Sequence, residues 1–438
     1  MRGYYLRWWR YGAGTEKLID EILERDTWNA ERWKMWQEER LSFILHRAAT
    51  QVPYYHNHWN HRRRNGDRSS WEVLSNWPIL EKENVRQTPI AFVSEDCNVD
   101  CMFEDHTGGT TGTPLNIYES RKTVQLWYAM CEARIRRWHH VSIKDKWIIL
   151  GGQLITPLEQ GKPPFWVENV ALNQLYLSTF HISKQTVKYY VDIINKANPT
   201  HWMVYPSSAA YLAQLILDLK LEVHSPKVIF SNAEPLWDTQ RKIISDAFRC
   251  PVRNTYGMGE FALAASECEE GNMHYWPDSG IMEVVEKDEI GIGQILVTGL
   301  INSDMPLIRY KLGDRGKLPY LGNCSCRRNL PCIDNVEGRD SDMIHTSDGR
   351  KIFWLNPIFY DLPLQEAQII QEALDQIRVR VVPSSEFNIQ SEHEIIRRVK
   401  KRLGGSVMVN VEITHEIPRT KAGKFQAVIS KIAHPDAK

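Results

Sequence analysis

A run of ten residues, His106-Thr-Gly-Gly-Thr-Thr-Gly-Thr-Pro-Leu115, contains three glycines and four threonines. Glycine permits positive φ and close backbone approach, and threonine adds hydroxyl donors. A loop of N–H and O–H groups like this one suits a polyphosphate. It is not a Walker loop, because no Gly-Lys-Ser/Thr follows. Taken alone, the run is better explained as an ordinary polar turn, so its meaning depends on the rest of the chain.

Four further short motifs follow along the chain, and these motifs and the first run are called the five islands below. They are Asn232-Ala-Glu-Pro235, Asn254-Thr-Tyr-Gly-Met-Gly-Glu260, Arg309-Tyr-Lys-Leu-Gly-Asp314 followed by Gly338-Arg339, and Pro418-Arg-Thr-Lys-Ala-Gly-Lys424-Phe425. Each is weak by itself, because a Tyr-Gly pair or a Gly-Asp pair usually marks a turn. A single glutamate or lysine is usually solvated. Only their occurrence together, in this order, is specific.

A metal site is indicated by two pairs of ligand residues. Cys268 lies six residues before His274, and Cys324 is separated from Cys326 by one serine. Three thiolates and one imidazole make a closed tetrahedral zinc site, provided that the fold brings the two pairs together. The spacing is not a tight CxxC…CxxC ladder, and the alternative is that these cysteines are small buried apolar residues. We predict a structural Zn²⁺.

The bulk composition limits the class of protein. At 438 residues the chain is long enough for two or three domains, and its 54 basic residues balance its 54 acidic ones. No global charge therefore favours nucleic acid or a membrane surface. The first residues lack the apolar segment of a signal peptide, and no apolar run approaches a membrane span. We expect a cytoplasmic protein with no nucleic-acid partner and no membrane span.

The spacing of apolar residues predicts the helices and strands that position these islands. Residues 1–60 have the spacing of helices and are rich in aromatic residues. For Trp8, Trp9 and the later tryptophans, packing in the core is favoured over a surface that stacks on a sugar or a base. Apolar runs at 147–150 and 228–230 predict buried strands. Helices are expected at 122–138, 183–196, 207–220 and from 236 to about 248. This alternation predicts an α/β domain with a mostly parallel sheet.

The last part of the chain has a different character. Short strands at 281–285, 293–298 and 307–310 predict a β-rich subdomain over about 281–338. After Arg339, a helix near 364–374, a strand at 377–382, a helix near 391–403 and strands around 407–413 predict a small α+β domain. We therefore place an N-terminal domain at 1–339 and a C-terminal cap at 340–438.

The ordered set of five islands resembles the adenylate-forming superfamily of acyl-CoA synthetases and peptide-synthetase adenylation domains. Within it, the chain is most similar to the phenylacetate-CoA ligase and CapK branch. The segments Val52-Pro-Tyr-Tyr55 and Val204-Tyr-Pro-Ser-Ser208 are also similar to that branch, as is the Cys…His pair with its later Cys-x-Cys. The resemblance implies an α/β N-terminal adenylate-forming domain, a β-rich subdomain and a mobile α+β cap.

The resemblance also implies a reaction and roles for named residues. A carboxylate attacks the α-phosphorus of ATP, pyrophosphate leaves, and an acyl-adenylate remains. Lys424 would bridge the substrate carboxylate and the α-phosphate, and Glu260 would bind Mg²⁺. The β- and γ-phosphates would lie on Thr107, Gly108, Gly109, Thr110, Thr111 and Gly112. Adenine and ribose would contact Asn232, Ala233, Glu234, Pro235, Tyr256, Gly257, Asp314 and Arg339. The candidates for the acyl pocket are Tyr205, Ser207 and Tyr256.

Two departures from the family pattern and several open alternatives remain. Gly259 stands where many relatives carry a hydroxyl residue, and Ser341 stands at the usual hinge aspartate, with Asp340 or Asp342 as substitutes. The acyl acceptor is coenzyme A, or else an amine or hydroxyl, for example on a sugar in polysaccharide biosynthesis. A nucleotide-binding relative without catalysis is the third alternative, which Glu260 and Lys424 argue against. The identity of the acid is not readable from the sequence. The oligomeric state is also open, a homodimer included.

Overall fold

The computed structural model of the chain describes residues 2–107, 115–322, 324–334, 336, 344–347, 351–352, 355, 358–359, 362–384, 386–420 and 425–432. The chain divides into two compact units. The first comprises Met1–Leu312 and Gly316–Asp334, and the second comprises Gly313–Arg315 and Asn335–Lys438. The predicted domain boundary after residue 339 lies outside the described residues. In the part of the chain that is described, no helix has both the length and the apolar character needed to cross a bilayer.

The α-helices of the described residues are α1 (Arg2–Arg10), α2 (Thr15–Arg25), α3 (Ala30–Gln51), α4 (Pro53–Arg64), α5 (Lys82–Gln87), α6 (Arg121–Cys131), α7 (Val187–Ala197), α8 (Pro206–Asp218), α9 (Asp238–Phe248) and α10 (Ile389–Leu403). The strands are β1 (Phe103–Thr107), β2 (Leu115–Glu119), β3 (Trp147–Gly151), β4 (Trp166–Asn169), β5 (Gln174–Ser178), β6 (His201–Val204), β7 (Val228–Ser231), β8 (Val252–Gly257), β9 (Ala264–Glu267), β10 (Met273–Tyr275), β11 (Gly280–Val285), β12 (Gly293–Gly299), β13 (Tyr310–Gly316), β14 (Ile344–His345), β15 (Lys351–Ile352), β16 (Leu364–Ala373), β17 (Gln376–Pro383), β18 (Met408–Ile413) and β19 (Val428–Ser430).

The first unit is built on an eight-stranded sheet of order β10-β9-β8-β7-β6-β3-β5-β4. The five strands β8, β7, β6, β3 and β5 are parallel, as the alternation of apolar runs and helical patterns predicts. Helices α7, α8 and α9 share one hydrophobic core with the sheet. Helices α2 and α6 share another with Trp147, Met203, Val228 and Phe230. The mostly parallel α/β architecture is confirmed.

Two smaller sheets accompany the large one. β1 and β2 form an antiparallel pair, and β11, β12 and β13 form the predicted β-rich part. The third strand of that part was expected at 307–310, whereas β13 begins at Tyr310. Residues 307–309 instead lead into the strand, and Arg309 has a positive φ of 48° that interrupts the extended conformation there.

The second unit holds a four-stranded sheet of order β18-β17-β16-β19, with α10 packed into its core. The helix expected near 364–374 is wrong, because this segment is strand β16. Its Gln, Glu and Ala residues favour a helix, but helix propensity is a weak preference that tertiary pairing overrides. Here β16 pairs with β17 on one side and β19 on the other, and Ala367, Ile369 and Ile370 are buried.

Candidate functional site

Two of the five predicted islands and two acyl-pocket candidates lie at one edge of the large sheet. Tyr205 and Ser207 follow β6, residues 232–235 follow β7, and Glu260 follows β8. These three strands are parallel neighbours, so their carboxyl ends meet at the same edge. In open α/β sheets that edge is where ligands bind. The sheet therefore brings the predicted adenine-binding and acyl-binding residues to one place.

Hydrogen bonds join the segments at this edge to one another. The Asn232 amide donates to the Val204 carbonyl oxygen (3.0 Å), and the Thr255 hydroxyl donates to the Ser231 carbonyl oxygen (2.7 Å). Glu234 Oε2 accepts from the Ser207 amide (3.0 Å), at the positive N-terminus of α8. The carboxylate of Glu234 thus ties the β7 turn to α8.

Two residues at this edge have a strained backbone. Ala233 has a φ of 65° and Phe261 a φ of 53°, a conformation that residues other than glycine rarely adopt. Such residues cluster at functional sites, where the surrounding structure holds them in place. Phe261 is held by stacking on Trp127, with ring centroids 4.5 Å apart. Ala233 lies inside the second island, and Phe261 directly follows the third.

Glu260 lies at the centre of a buried polar cluster. Its side chain is 6% exposed, and its Oε1 accepts from Lys82 Nζ (3.3 Å) and from the Tyr310 hydroxyl (3.1 Å). Lys82 begins α5, and a bridge between Leu80 and Tyr310 brings that segment beside β13. Lys82 was not among the predicted site residues, because it stands outside all five islands. Tyr310 stands inside the fourth island but had no predicted role.

Several predicted site residues lie at the ends of the described residues or beyond them. Thr107 is the last residue of β1 and pairs with Leu115, the first residue of β2. The glycine-threonine loop is therefore the connection of a β-hairpin, and Gly108, Gly109, Thr110, Thr111 and Gly112 lie outside the described residues. So do Arg339, Lys424 and the hinge residues 340–342. Asp314 lies on β13, in the segment that belongs to the second unit.

The acyl-pocket candidate Tyr205 lies close to Gly151, the last residue of β3. A Cβ built on Gly151 would lie 3.1 Å from the Tyr176 hydroxyl and 3.8 Å from the Tyr205 ring. Burial raises the pKa of Tyr176 to about 12 and raises that of Tyr205, so both hydroxyls keep their protons at neutral pH. Ser207 is buried, and its hydroxyl bonds to nothing in the described residues. Tyr176 was missed, because a tyrosine in an apolar strand has no distinctive sequence signal.

The hairpin that carries the glycine-threonine loop ends in a buried acid. Glu119 is the last residue of β2 and is 1% exposed. Neither of its carboxylate oxygens has a hydrogen-bond partner in the part of the chain that the structure describes. Burial, with the nearby Asp105 as a smaller cause, raises the pKa of Glu119 to about 9. At neutral pH this side chain is therefore a neutral acid.

The four predicted zinc ligands converge at the β10 end of the large sheet. Cys268 follows β9, His274 lies on β10, and Cys324 and Cys326 come from the later loop. All four ligand atoms lie within 4.8 Å of one another. The Cys268 and Cys324 Sγ atoms are 3.6 Å apart, and Cys326 Sγ is 3.4 Å from His274 Nε2. Ligands about 2.0–2.3 Å from a tetrahedral Zn²⁺ have separations of about 3.4–3.8 Å, so the cluster fits the ion.

Surrounding groups orient this cluster. His274 Nδ1 lies 3.1 Å from the Leu330 carbonyl oxygen, so Nδ1 carries the proton and the Nε2 lone pair faces the thiols. A hydrogen bond of this kind on the distal nitrogen is typical of histidines that bind metals. The ring of Trp138 meets His274 edge-on at 6.0 Å. These contacts hold a donor set that suits zinc.

Comparison with known proteins identifies the family of this chain. A family model described as the CapK C-terminal domain matches residues 344–431. Protein CapK of Staphylococcus aureus is 30% identical over 373 residues, which cover 82% of this chain and 80% of CapK. The phenylacetate-coenzyme A ligase of Escherichia coli strain K12 is 24% identical over 446 residues, covering 93% of this chain and 96% of the ligase.

A solved structure shares the fold. The crystal structure of 2-hydroxyisobutyryl-CoA ligase, in the postadenylation state with R3-HIB-AMP, matches with a TM-score of 0.68 at 19% identity, covering 93% of this chain and 91% of that one. The fold is thus that of an adenylate-forming ligase. The identity with CapK is more specific, and the chain belongs to the phenylacetate-CoA ligase and CapK-like branch of the adenylate-forming superfamily.

Proposed function

We propose that this protein activates a carboxylic acid with ATP and transfers the acyl group to coenzyme A. The acid's carboxylate oxygen bonds to the α-phosphorus while the bond to the β-phosphate oxygen breaks, and pyrophosphate leaves. The coenzyme A thiol, as thiolate, then attacks the acyl carbon, and AMP leaves. Such a displacement needs positioning and charge neutralisation more than a protein nucleophile. The convergence of two islands and the acyl-pocket candidates Tyr205 and Ser207 at the carboxyl edge of one parallel sheet carries this proposal.

Glu260 and Lys82 have complementary roles in the proposed first step. The buried carboxylate of Glu260 provides the hard oxygen donor that Mg²⁺ requires, and the ion neutralises phosphate charge. Lys82 balances the charge of Glu260 through the 3.3 Å contact and retains further N–H donors. Its side chain is 29% exposed, so it is able to turn from Glu260 toward the leaving pyrophosphate.

The position of residues at the carboxyl ends of the strands and the family resemblance support the remaining nucleotide contacts of the proposal. Residues 232–235 and Tyr256 contact adenine through the backbone and the ring, since the Glu234 carboxylate already bonds the Ser207 amide. Asp314 and Arg339 bind the ribose, the glycine-threonine loop binds the β- and γ-phosphates, and Lys424 binds the reacting carboxylate. The acyl group lies near Gly151, with Tyr176, Tyr205 and Ser207 around it.

The test of this proposal is isotope exchange between pyrophosphate and ATP over a panel of carboxylic acids. At least one acid should support exchange in the wild type. Glu260→Gln should abolish most of that exchange while leaving the fold intact by circular dichroism. If no acid in a broad aliphatic and aromatic panel supports exchange, or if Glu260→Gln exchanges at the wild-type rate, the proposed adenylation is wrong.

A second acceptor is kept as a candidate because the identity with CapK, 30%, exceeds the 22–25% found with four phenylacetate-coenzyme A ligases. In this alternative the acyl-adenylate passes to an amine or a hydroxyl. Release of AMP from ATP and the acid, measured with and without coenzyme A, separates the two. A large stimulation by coenzyme A with formation of a thioester supports the first acceptor, and no stimulation supports the second.

A structural zinc ion completes the proposal. Cys268, His274, Cys324 and Cys326 would hold it as a closed tetrahedral site with no open position for chemistry. It would fasten the loop that carries Cys324 and Cys326 to the β9–β10 end of the sheet. β8, which leads to Glu260, is the next strand. The ion thus would stabilise the border of the sheet beside the nucleotide residues.

A further inference from the structure

Helix α1 presents an exposed aromatic surface. Tyr4, Tyr5 and Trp8 are 65%, 54% and 52% exposed. Their spacing of one and four residues places them on one face of the helix. Trp9, at the border of this face, is buried with its ring 5.3 Å from that of Phe103, and the rings of Trp8 and Tyr5 meet it edge-on at 5.3 and 6.3 Å. The prediction that tryptophans here serve packing is confirmed for Trp9, whereas Trp8 packs on Trp9 with only one part of its ring and leaves the rest exposed.

Contacts along the packed side fix the orientation of α1. A Cβ at Gly3 would lie 2.2 Å from Asn169 Oδ1, so any other residue here would require the Asn169 side chain to move. Arg7 Nη1 donates to the Ala171 carbonyl oxygen (3.0 Å), beside Val170, which is 71% exposed. Arg121 Nε donates to the Trp8 carbonyl oxygen (2.9 Å). The helix therefore holds its aromatic face outward as a fixed surface, and Val170 extends the apolar area.

Positive charge surrounds this aromatic face. α1 contains Arg2, Arg7 and Arg10 and no acidic residue. Helix α6 adds Arg121, whose guanidinium lies 4.0 Å from the centre of a Trp8 ring, and the exposed Lys122. The neighbouring strand β4 contributes one exposed carboxylate, Glu168. Because the whole chain carries equal numbers of basic and acidic residues, this local excess of cations is a feature of the surface itself.

We propose that this α1 surface, formed by Tyr4, Tyr5, Trp8 and the basic residues around them, binds the protein to an anionic lipid bilayer without crossing it. Tyrosine and tryptophan rings favour the interface between headgroups and acyl chains. Arginine and lysine beside them attract anionic headgroups, and the two effects together give stable peripheral binding. A second copy of the chain is the less suitable occupant, because a two-fold contact would place the arginines of both copies against one another.

Sedimentation with lipid vesicles tests the proposal on the full chain. Vesicles of phosphatidylcholine with about a third phosphatidylglycerol should bind the protein, vesicles of phosphatidylcholine alone should bind it at least about tenfold less, and added salt should weaken the binding. The variant Y4S/Y5S/W8S should bind the anionic vesicles at least about tenfold less than the wild type. Ile290→Ser, which removes a similarly exposed side chain elsewhere, should bind as the wild type does.

Three outcomes overturn the proposal. One is a wild type that does not bind anionic vesicles, and another is a folded Y4S/Y5S/W8S variant that binds them fully. The third is a concentration-dependent dimer, seen by analytical ultracentrifugation, that the triple variant loses while vesicle binding is absent. Circular dichroism and the melting temperature establish that the triple variant is folded. Arg2→Gln with Lys122→Gln provides an independent check, since it should weaken binding while all three aromatic rings remain.

Discussion

Lys82 Nζ lies 3.3 Å from Glu260 Oε1, although 178 residues separate the two in sequence. The pair is asymmetric, because the carboxylate side chain is 6% exposed whereas the lysine side chain is 29% exposed. A buried carboxylate needs a partner for its charge, and here an ammonium and the Tyr310 hydroxyl both bond the same oxygen. The lysine is therefore the partly exposed member of the pair and the glutamate the buried one.

Lys82→Gln should slow adenylation strongly. The substitution removes a positive charge beside the proposed phosphate site, and loss of one such stabilising group typically costs about 100- to 1000-fold in rate. The measurement is exchange of pyrophosphate into ATP with the best acid. Lys34→Gln is the matched control, because Lys34 is a lysine in an exposed helical ion pair, and this variant should exchange normally.

Melting temperatures separate catalysis from folding in the Lys82 experiment. Lys82→Gln leaves Glu260 with a neutral neighbour, which destabilises the cluster but should leave the folded state populated. A folded Lys82→Gln variant with wild-type exchange would contradict the proposed role in phosphate binding. Lys82→Arg should retain part of the activity, because the charge is kept while the geometry changes.

Lys424→Ala should reduce adenylation by about 100- to 1000-fold, or about 3–4 kcal/mol in transition-state stabilisation. The residue lies outside the described residues, so this prediction rests on the family resemblance. The second step gives the diagnostic result. If the cap lysine acts only in adenylation, the variant should still form thioester from a synthetic acyl-adenylate and coenzyme A. Lys421→Ala serves as the control, and unchanged pyrophosphate exchange in Lys424→Ala would exclude the assigned role.

The zinc proposal predicts about one zinc ion per chain in protein purified without added metal. Cys324→Ser should lose the metal, because a closed site needs all four ligands. Cys101→Ser should keep it, since Cys101 is exposed and stands outside the cluster. Chelation should also change tryptophan fluorescence, because Trp138 contacts His274. A metal content near zero in the wild type would remove the proposal.

The sequence predicts the large sheet well because its signals are local. The apolar run at 147–150 and the one at 228–230 both form strands of the predicted type, namely β3 and β7. Ligand identity is also a local signal, so Cys268 and His274 could be paired with the later cysteines before any fold was known. The acyl-pocket candidates after β6 and the islands after β7 and β8 share an edge because parallel strands end together.

Features that depend on long-range contacts were not predictable in this way. The Lys82–Glu260 pair depends on the bridge between Leu80 and Tyr310, which no spacing rule reveals. Strand β16 has the composition of a helix, and its pairing with two neighbours decides its structure. Which tryptophan of α1 is buried could not be predicted either, because the helical period is the same whether Trp8 or Trp9 faces the core.

Glu119→Gln should stabilise the first unit at neutral and alkaline pH. The folded protein raises the pKa of Glu119 from 4.5 to about 9, so the folded state keeps a proton that the unfolded state has released. The cost is absent below pH 4.5, grows as pH rises, and is complete above about pH 9. At pH 7 it amounts to at most roughly 3 kcal/mol. Glutamine resembles the neutral acid and does not ionise, so the variant avoids this cost.

Urea unfolding at several pH values measures the effect of Glu119→Gln, followed by tryptophan fluorescence. Of the 16 tryptophans only Trp354 lies after residue 334, so the signal reports the first unit. The difference in unfolding free energy between Glu119→Gln and wild type should be smallest below pH 4.5 and rise by about 1.4 kcal/mol per pH unit between about pH 5.5 and pH 8. Glu159→Gln, at an exposed position, should show no such rise. A difference that stays constant with pH would mean that Glu119 ionises freely in the folded protein, which would contradict the raised pKa.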